Sequence, residues 1–249
     1  MFTFPTTLLN APAGGGGDPW TPADITTAAW YDATTGVSDT AGAVDQWDDL
    51  SGNNNDLVQT GTNRPTTNSV TLNSLNVIDF DGSNDSMAHT ASFATQPASF
   101  AAVFVRDTSG ADHTIFDGEG ASGRNMLRLR STNVLAIFAG SFLGTDSITT
   151  GPMMASGVFD DGSSEIRLDG GTAVSGTTGT QDLDGGLRVG ASTTGASQLL
   201  NGKIAEIVIT DTALSTSDRQ KLEGYLAWRW GLEGDLPGGH PYKSAPPTV

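Results

Sequence analysis

The stretch Leu199–Tyr242, LLNGKIAEIVITDTALSTSDRQKLEGYLAWRWGLEGDLPGGHPY, decides the fold of this chain. Lys203 to Thr210 is a β-branched run. Alternation places Ala205, Ile207 and Ile209 on one face and Ile204, Glu206 and Val208 on the other. Asp211 and Thr212 end the run, and a helix signal follows. Ser217 with Gln220 three residues on has capping-box spacing, and Asp218 sits in the first turn, where the helix dipole favours an acid. Leu222, Tyr225, Leu226 and Trp230 recur at helical spacing and predict one apolar stripe. Gly231 follows as the C-cap, with Pro237 beyond it. Gly224 inside the helix costs about 1 kcal/mol relative to Ala, which predicts a close backbone approach on that side. A strand feeding one aromatic-rich helix predicts a helix packed on a sheet sandwich.

The rest of the chain is written in strands. Ala28–Asp32, Ala43–Leu50, Asn76–Phe80, Ala98–Arg106, His113–Phe116, Asn125–Arg130 and Val134–Phe138 follow one another with short spacers. Met153–Phe159, Ser164–Leu168 and Gly186–Val189 continue the series. Ala98–Arg106 is apolar on nearly both faces, which predicts a central strand. Asp81-Gly82 is a hairpin signal, and Asp-Gly recurs at Asp117, Asp161, Asp169 and Asp184. With 32 glycines in 249 residues and no alternating helices, the pattern is an all-β, two-sheet antiparallel jelly-roll sandwich rather than a propeller, because no repeat period is visible.

Residues 1–24 stand apart as an N-terminal arm. Phe2, Phe4, Leu8 and Leu9 are apolar, Pro5 and Pro12 interrupt regular structure, and Gly14–Gly17 form a hinge. A tethered segment of this kind cannot bury its apolar side chains alone, and docking on a partner is the favoured reading over folding back. The globular domain is expected over 25–249, and the Pro-containing tail after Gly231 is expected to run extended without a core of its own. Trp30, Trp47, Trp228 and Trp230 lie in strand or helix patterns and are expected in the core. Trp20 is expected to be exposed or to anchor the arm, and Tyr242 to pin the tail.

Composition excludes several functions. The net charge is −16 with only 12 Lys and Arg, none clustered, which argues against nucleic acid. There is no cysteine, hence no disulfide or thiolate site. No segment approaches the roughly 20 apolar residues of a membrane span. The opening residues lack a basic n-region and a long apolar run, so no secretory signal is expected.

The order AWYDA, W-D-x-SGNNND, IDFDGSND, FDDGSSEIRLDGG, LRVGA and LNGKIAEIVITDTALS resembles the laminin-G-like, concanavalin A-like jelly-roll superfamily. The stretch DRQKLEGYLAWRWGLEGDLPGGHPYKSAPP resembles a C-terminal extension of such domains in tailed-phage virion proteins and bacterial surface proteins. The resemblance covers about Ile25 to Pro247. It implies a virion-surface component, as a capsid decoration or a tail or fibre protein. Its partners would be other virion proteins reached through the arm, with glycan contacts and homo-oligomerisation. The alternative is a glycan-binding module of a bacterial secreted or cell-surface protein.

Side chains that could carry chemistry are few, and no catalytic residue is assigned. Glycoside hydrolysis needs two carboxyls, about 5 Å apart for retention and farther for inversion. Glu165-Ile-Arg-Leu-Asp169 puts Glu165, Arg167 and Asp169 on one face, but the second acid falls in an Asp-Gly turn and no third follows. Glu206 stands alone in its strand. His89, His113 and His240 occur in separate contexts, and His240 between Gly239 and Pro241 reads as a loop residue bonded to backbone. Calcium is the one cofactor with a case. Asp81, Asn84 and Asp85 share a loop, and Asp45, Asp48, Asp49 and Asp56 flank another.

Overall fold

The structure is a computed structural model, and it describes residues 17–92, 94–120, 124–183, 185–192 and 197–249. Its strands in chain order are β1 (Ala29–Asp32), β2 (Val37–Thr40), β3 (Ala43–Trp47), β4 (Leu57–Val58), β5 (Thr71–Leu72), β6 (Leu75–Asn76), β7 (Ile78–Asp81), β8 (Met87–His89) and β9 (Ala98–Arg106). They continue as β10 (His113–Gly118), β11 (Met126–Leu129), β12 (Val134–Phe138), β13 (Phe142–Ser147), β14 (Gly151–Phe159), β15 (Ser164–Leu168), β16 (Val174–Gly176), β17 (Leu187–Val189) and β18 (Asn201–Ile209). One α-helix follows, α1 (Thr216–Trp230).

Two large antiparallel sheets form the sandwich. One runs β1-β18-β9-β14-β15-β16, with β7 also pairing β18. The other is nine-stranded, β13-β12-β11-β10-β17-β8-β4-β3-β2, and β5-β6 is a separate ribbon. The strands that sequence reading misses include β2, β13 and β16, each the last in its row. An end strand buries little, so polar residues and glycine suffice there and the alternation signal is lost. The Asp81-Gly82 turn is not a hairpin: β7 pairs β18 and β8 pairs β17, so this turn carries the chain from one sheet to the other.

The main core lies between the sheets, where Phe100, Phe104 and Phe159 of the first meet Trp47, Ile115, Phe116 and Leu127 of the second. A second core lies on the outer face of the first sheet. There α1 lays Leu222, Tyr225, Leu226, Ala227 and Trp230 on Ala101, Val103, Met154, Ala205 and Val208. Strand β9 is therefore apolar on both faces because it is covered on both. Full burial of a large apolar side chain contributes about 1.5–3 kcal/mol, so the helix stripe is a substantial part of the fold's stability.

A bulge in β18 between Ile204 and Glu206 changes the predicted alternation. Ile204 joins Ile207 and Ile209 in the inter-sheet core, while Ala205 and Val208 face the helix. Glu206 is turned to that same side, beneath Trp230.

The helix starts two residues earlier than expected. Ser215, not Ser217, is the N-cap, accepting from Asp218 N–H at 3.1 Å and donating to Asp218 Oδ2 at 2.7 Å. Gly231 caps the other end at φ 74°, as expected. The close approach at Gly224 comes from a side chain rather than backbone: a Cβ there would lie 2.5 Å from Tyr242 Cβ. The tail is held down by this contact and by Trp228 Nε1–H donating to Tyr242 O at 2.8 Å. Contrary to expectation it also feeds the second core, through Leu232 and Leu236. Its last residues pair with 18–20: Trp20 N–H donates to Pro247 O at 3.2 Å and Val249 N–H to Asp18 O at 3.0 Å. Trp20 is buried edge-on against Tyr225, with centroids 6.1 Å apart, so of its two expected roles, exposed residue or anchor, the exposed one does not hold. Packed chain thus reaches back to Asp18, ahead of Ile25. Phe2, Phe4, Leu8 and Leu9 lie outside the described residues.

Candidate functional site

A cleft of about 510 Å³ opens where the chain enters β1, between residues 23–28 and the Ser51–Asn55 loop. Ile25, Leu50 and Trp30 give it an apolar side, and Thr26, Thr27, Ser51, Asn53, Asn55 and Asp211 a polar one. The loop is built by Asp49, whose buried carboxylate accepts from the backbone N–H of Trp30 (2.9 Å), Ser51 (2.9 Å) and Asn55 (3.1 Å). Asn53 and Asn55 then staple the loop to β1's approach, donating to Ala28 O at 3.1 and 2.9 Å. Tyr31 closes it from below, its hydroxyl donating to Asn55 O at 2.5 Å. Burial, with Asp49 and Asp56 nearby, pushes that hydroxyl well above the ordinary tyrosine value. The result is a rigid rim of hydroxyls and amide oxygens beside apolar carbon, which suits a polyhydroxylated ligand. Among the described residues Asp211 is the one carboxylate lining the cleft.

Two networks of buried ionisable groups lie around the helix. Glu206, alone in the sequence, accepts from Trp30 Nε1–H and Trp230 Nε1–H, each at 2.7 Å, and lies 3.4 Å from Arg229 Nε. Arg229 also donates to Asp32 Oδ2 at 2.5 Å and to Thr34 Oγ1 at 2.7 Å. Burial, and then the neighbouring Asp32 charge, push Glu206 up to about 8, against the pull of Arg229 and the two indoles. All three ionic side chains are buried, and this cluster joins helix to sheet.

The second network centres on Glu223, which is fully buried. It accepts from Ser156 Oγ–H at 2.5 Å and from Arg219 Nη1 at 2.7 Å, and pairs with His240 Nε2 at 3.1 Å. These partners outweigh burial and hold Glu223 below its usual range. His240 Nδ1 accepts from Tyr242 N–H at 3.2 Å, so the ring bridges tail and helix rather than bonding to backbone alone. Ser156 and His240 both turn to Glu223 and not to each other, so no nucleophile–base relay forms. A shallower hollow of about 310 Å³ lies outside His240, walled by Arg167, Arg219 and the Gly170-Gly171 turn.

Glu165 pairs with Arg167 at 2.8 Å, while Asp169 turns away to accept Met154 N–H at 2.8 Å. Burial, with Asp235 adding, pushes Asp169 up to about 6. His113 sits with Nδ1 2.7 Å from Leu199 O. Asp81, Asn84 and Asp85 share the inter-sheet turn. There Asp81 Oδ1 accepts Ser83 N–H at 2.7 Å and Asp85 Oδ2 accepts Asp81 N–H at 3.0 Å. Burial foremost, with Asp81 and Asp79 adding, pushes Asp85 up to about 6. Asp45 pairs with Arg64, and Asp56 accepts Asp49 N–H at 2.8 Å. Among the described residues no three His or acidic side chains converge as a metal shell. None of their helices is long and apolar enough to cross a membrane. The cleft was missed because SGNNND reads as a turn. Its partner segment 23–28 lies in what the sequence presents as the end of the arm.

No protein-family model matches the sequence, nor does any curated protein. Solved structures do share the fold. Domain 4 of an extracellular arabinanase from Geobacillus stearothermophilus, in complex with arabinotriose, is similar with a TM-score of 0.59 at 15% identity, over 80% of this chain and 98% of that one. The Trypanosoma rangeli sialidase is similar with a TM-score of 0.59 at 14% identity, over 87% of this chain. This chain spans only 36% of the sialidase's length. An α-L-arabinofuranosidase of glycoside hydrolase family 54 is similar at 14% identity with a TM-score of 0.59, over 76% of this chain and 51% of that one. These are β-sandwich domains of glycan-acting proteins, and the jelly-roll architecture expected from the sequence is what they share with this chain.

Proposed function

We propose that this chain is a non-enzymatic glycan-binding β-sandwich and that the cleft beside Trp30 and Asn53 receives the sugar. The observation that carries the reading is the cleft itself, with apolar carbon on one wall, fixed hydroxyls and amides on the other, and a single carboxylate. One carboxylate cannot divide acid and base roles between two groups, which glycoside hydrolysis requires. Support comes also from the shared fold with an arabinanase domain that holds arabinotriose, at an identity that speaks for fold alone. The test is titration of a panel of neutral oligosaccharides by calorimetry, with Asp211→Asn and Thr26→Val as cleft variants. Saturable binding that both variants weaken, with no product on prolonged incubation, is expected. Turnover of any oligosaccharide would overturn the non-enzymatic reading.

The setting proposed is the surface of a phage virion, as a homo-oligomer held to capsid or tail by residues 1–16. It rests on the likeness of Asp218–Pro247 to the C-terminal extension of phage virion domains. A bacterial secreted or cell-surface location is the rival. Mass spectrometry of purified particles decides: peptides of this chain at stoichiometric level support the virion, and their absence from particles of a producing strain removes it.

A further inference from the structure

One corner of the nine-stranded sheet is positively charged on a protein whose net charge is −16. Most of the chain's 12 Lys and Arg side chains sit against a carboxylate. Arg106 and Arg130 face none within ion-pair distance among the described residues, and they meet in this corner. Arg106 is wholly buried at the end of β9, donating from Nη2 to Arg130 O at 3.3 Å and from Nη1 to Asn133 Oδ1 at 2.9 Å, while its Nε has no partner. The carboxylate acting on it, Asp112, is already paired with Arg128, so the buried guanidinium is only partly neutralised and its field reaches the surface above it through low-dielectric protein.

That surface is an aromatic–guanidinium ladder. Phe138 and Phe142 are directly opposed across β12 and β13, with centroids 4.8 Å apart. Arg130 Cζ lies 4.7 Å and Arg128 Cζ 5.5 Å from the Phe142 centroid, and Arg124 Cζ 5.7 Å from that of Phe138. Arg124 is engaged by Asp117 and Arg128 by Asp112, whose other oxygen accepts Ser131 N–H at 2.6 Å. Of these three arginines, Arg130 alone faces no carboxylate within ion-pair distance among the described residues. Phe142 is 39% exposed, one of three large apolar side chains so placed among the described residues.

An exposed ring beside an unpaired, planar, five-donor cation is complementary to a ligand with an apolar face and one carboxylate. The remaining charge on the protein narrows the choice. A long polyanion laid across this corner would soon meet acidic surface, and a second copy would bring its own −16 charges close. A single acid group at the end of a chain meets neither penalty. We propose that Arg130 and Phe142 form a subsite for a carboxylate-bearing sugar at the end of a glycan. This rests on the glycan-binding reading but uses none of the cleft residues.

The experiment is calorimetric titration of the full chain with a glucuronate-terminated disaccharide and its glucose-terminated counterpart, at low and high salt. Variants are Arg130→Gln, Phe142→Ala and the cleft variant Thr26→Val, each checked for an unchanged melting temperature. The acidic disaccharide should bind about tenfold more tightly than the neutral one, as one charge-assisted hydrogen-bond pair provides. The preference should shrink with salt, vanish in Arg130→Gln and survive in Thr26→Val. Phe142→Ala should weaken the acidic ligand. Equal affinities, or a preference that Arg130→Gln retains, overturn the subsite. So does a change in oligomer size by light scattering in Arg130→Gln with sugar binding intact, since the corner would then be a self-interface. If Thr26→Val rather than Arg130→Gln abolishes the acidic preference, the cleft reads the charge and the corner is refuted while the glycan reading stands.

Discussion

Replacing Arg229 with Met should destabilise this protein in a pH-dependent way. Arg229 is the cation between Asp32 and Glu206, and none of the three side chains is more than 5% exposed. Met fills similar volume but leaves two buried carboxyls facing each other with no counter-ion. Removing one partner of a buried ion pair costs about 3–5 kcal/mol. At about 2–4 °C per kcal/mol for a domain of this size, the melting temperature should fall by roughly 6–20 °C near pH 8. Glu206, already pushed up to about 8, is raised in the fold above its unfolded value. The folded state therefore binds more protons than the unfolded one between those values. Stability that is full below the unfolded value is lost as pH rises toward 8. Without Arg229 that window extends upward, and one proton changes stability by up to about 1.4 kcal/mol per pH unit. The deficit of Arg229→Met relative to the parent should therefore be smaller at pH 5 than at pH 8. Thermal melts followed by Trp fluorescence suit the purpose, since Trp30 and Trp230 donate to Glu206. Equal deficits at the two pH values, or none at all, would show that the pair is not the electrostatic joint between helix and sheet.

Ser215→Ala should cost about 1 kcal/mol and Ser217→Ala a few tenths at most, because only Ser215 satisfies a helix N–H. Denaturant titration separates the two, and a larger loss at Ser217 would contradict the cap. Gly224→Ala should destabilise despite Ala's better helix propensity, because its Cβ meets Tyr242 at 2.5 Å. Limited proteolysis should then release the tail, and Gly224→Ala in a Tyr242→Gly background, which removes the opposing Cβ, should lose the penalty. If residues 1–16 serve as the proposed anchor, removing them should leave the melting temperature nearly unchanged while assembly is lost. Phe2, Phe4, Leu8 and Leu9 offer roughly 1.5–3 kcal/mol each to a partner on full burial. A truncated chain that melts several degrees lower yet still assembles would refute the anchoring arm.

By itself the sequence determined the class of fold and its centre. Ala98–Arg106 is central because a nine-residue run apolar on nearly both faces has no other stable place, and the Leu222–Trp230 stripe required a sheet to cover. Both follow from local periodicity, which depends only on neighbours along the chain. Tertiary structure decided what periodicity cannot carry. One bulged residue at Ala205 put Ile204 on the face of Ile207 and Ile209 and Ala205 on that of Glu206 and Val208, because a single insertion shifts the alternation by one step. Glu206 read as solitary because its partners Trp30, Asp32 and Arg229 are distant in sequence. The cleft stayed hidden for the same reason. Thr26, Asn53 and Asp211 are individually turn or linker residues, and they acquire a shared surface only where three separate chain segments converge. Arg130 and Phe142 likewise became a pair only when β11, β12 and β13 were aligned in register. Side-chain chemistry was legible residue by residue, and its convergence was set by long-range packing that no local pattern encodes.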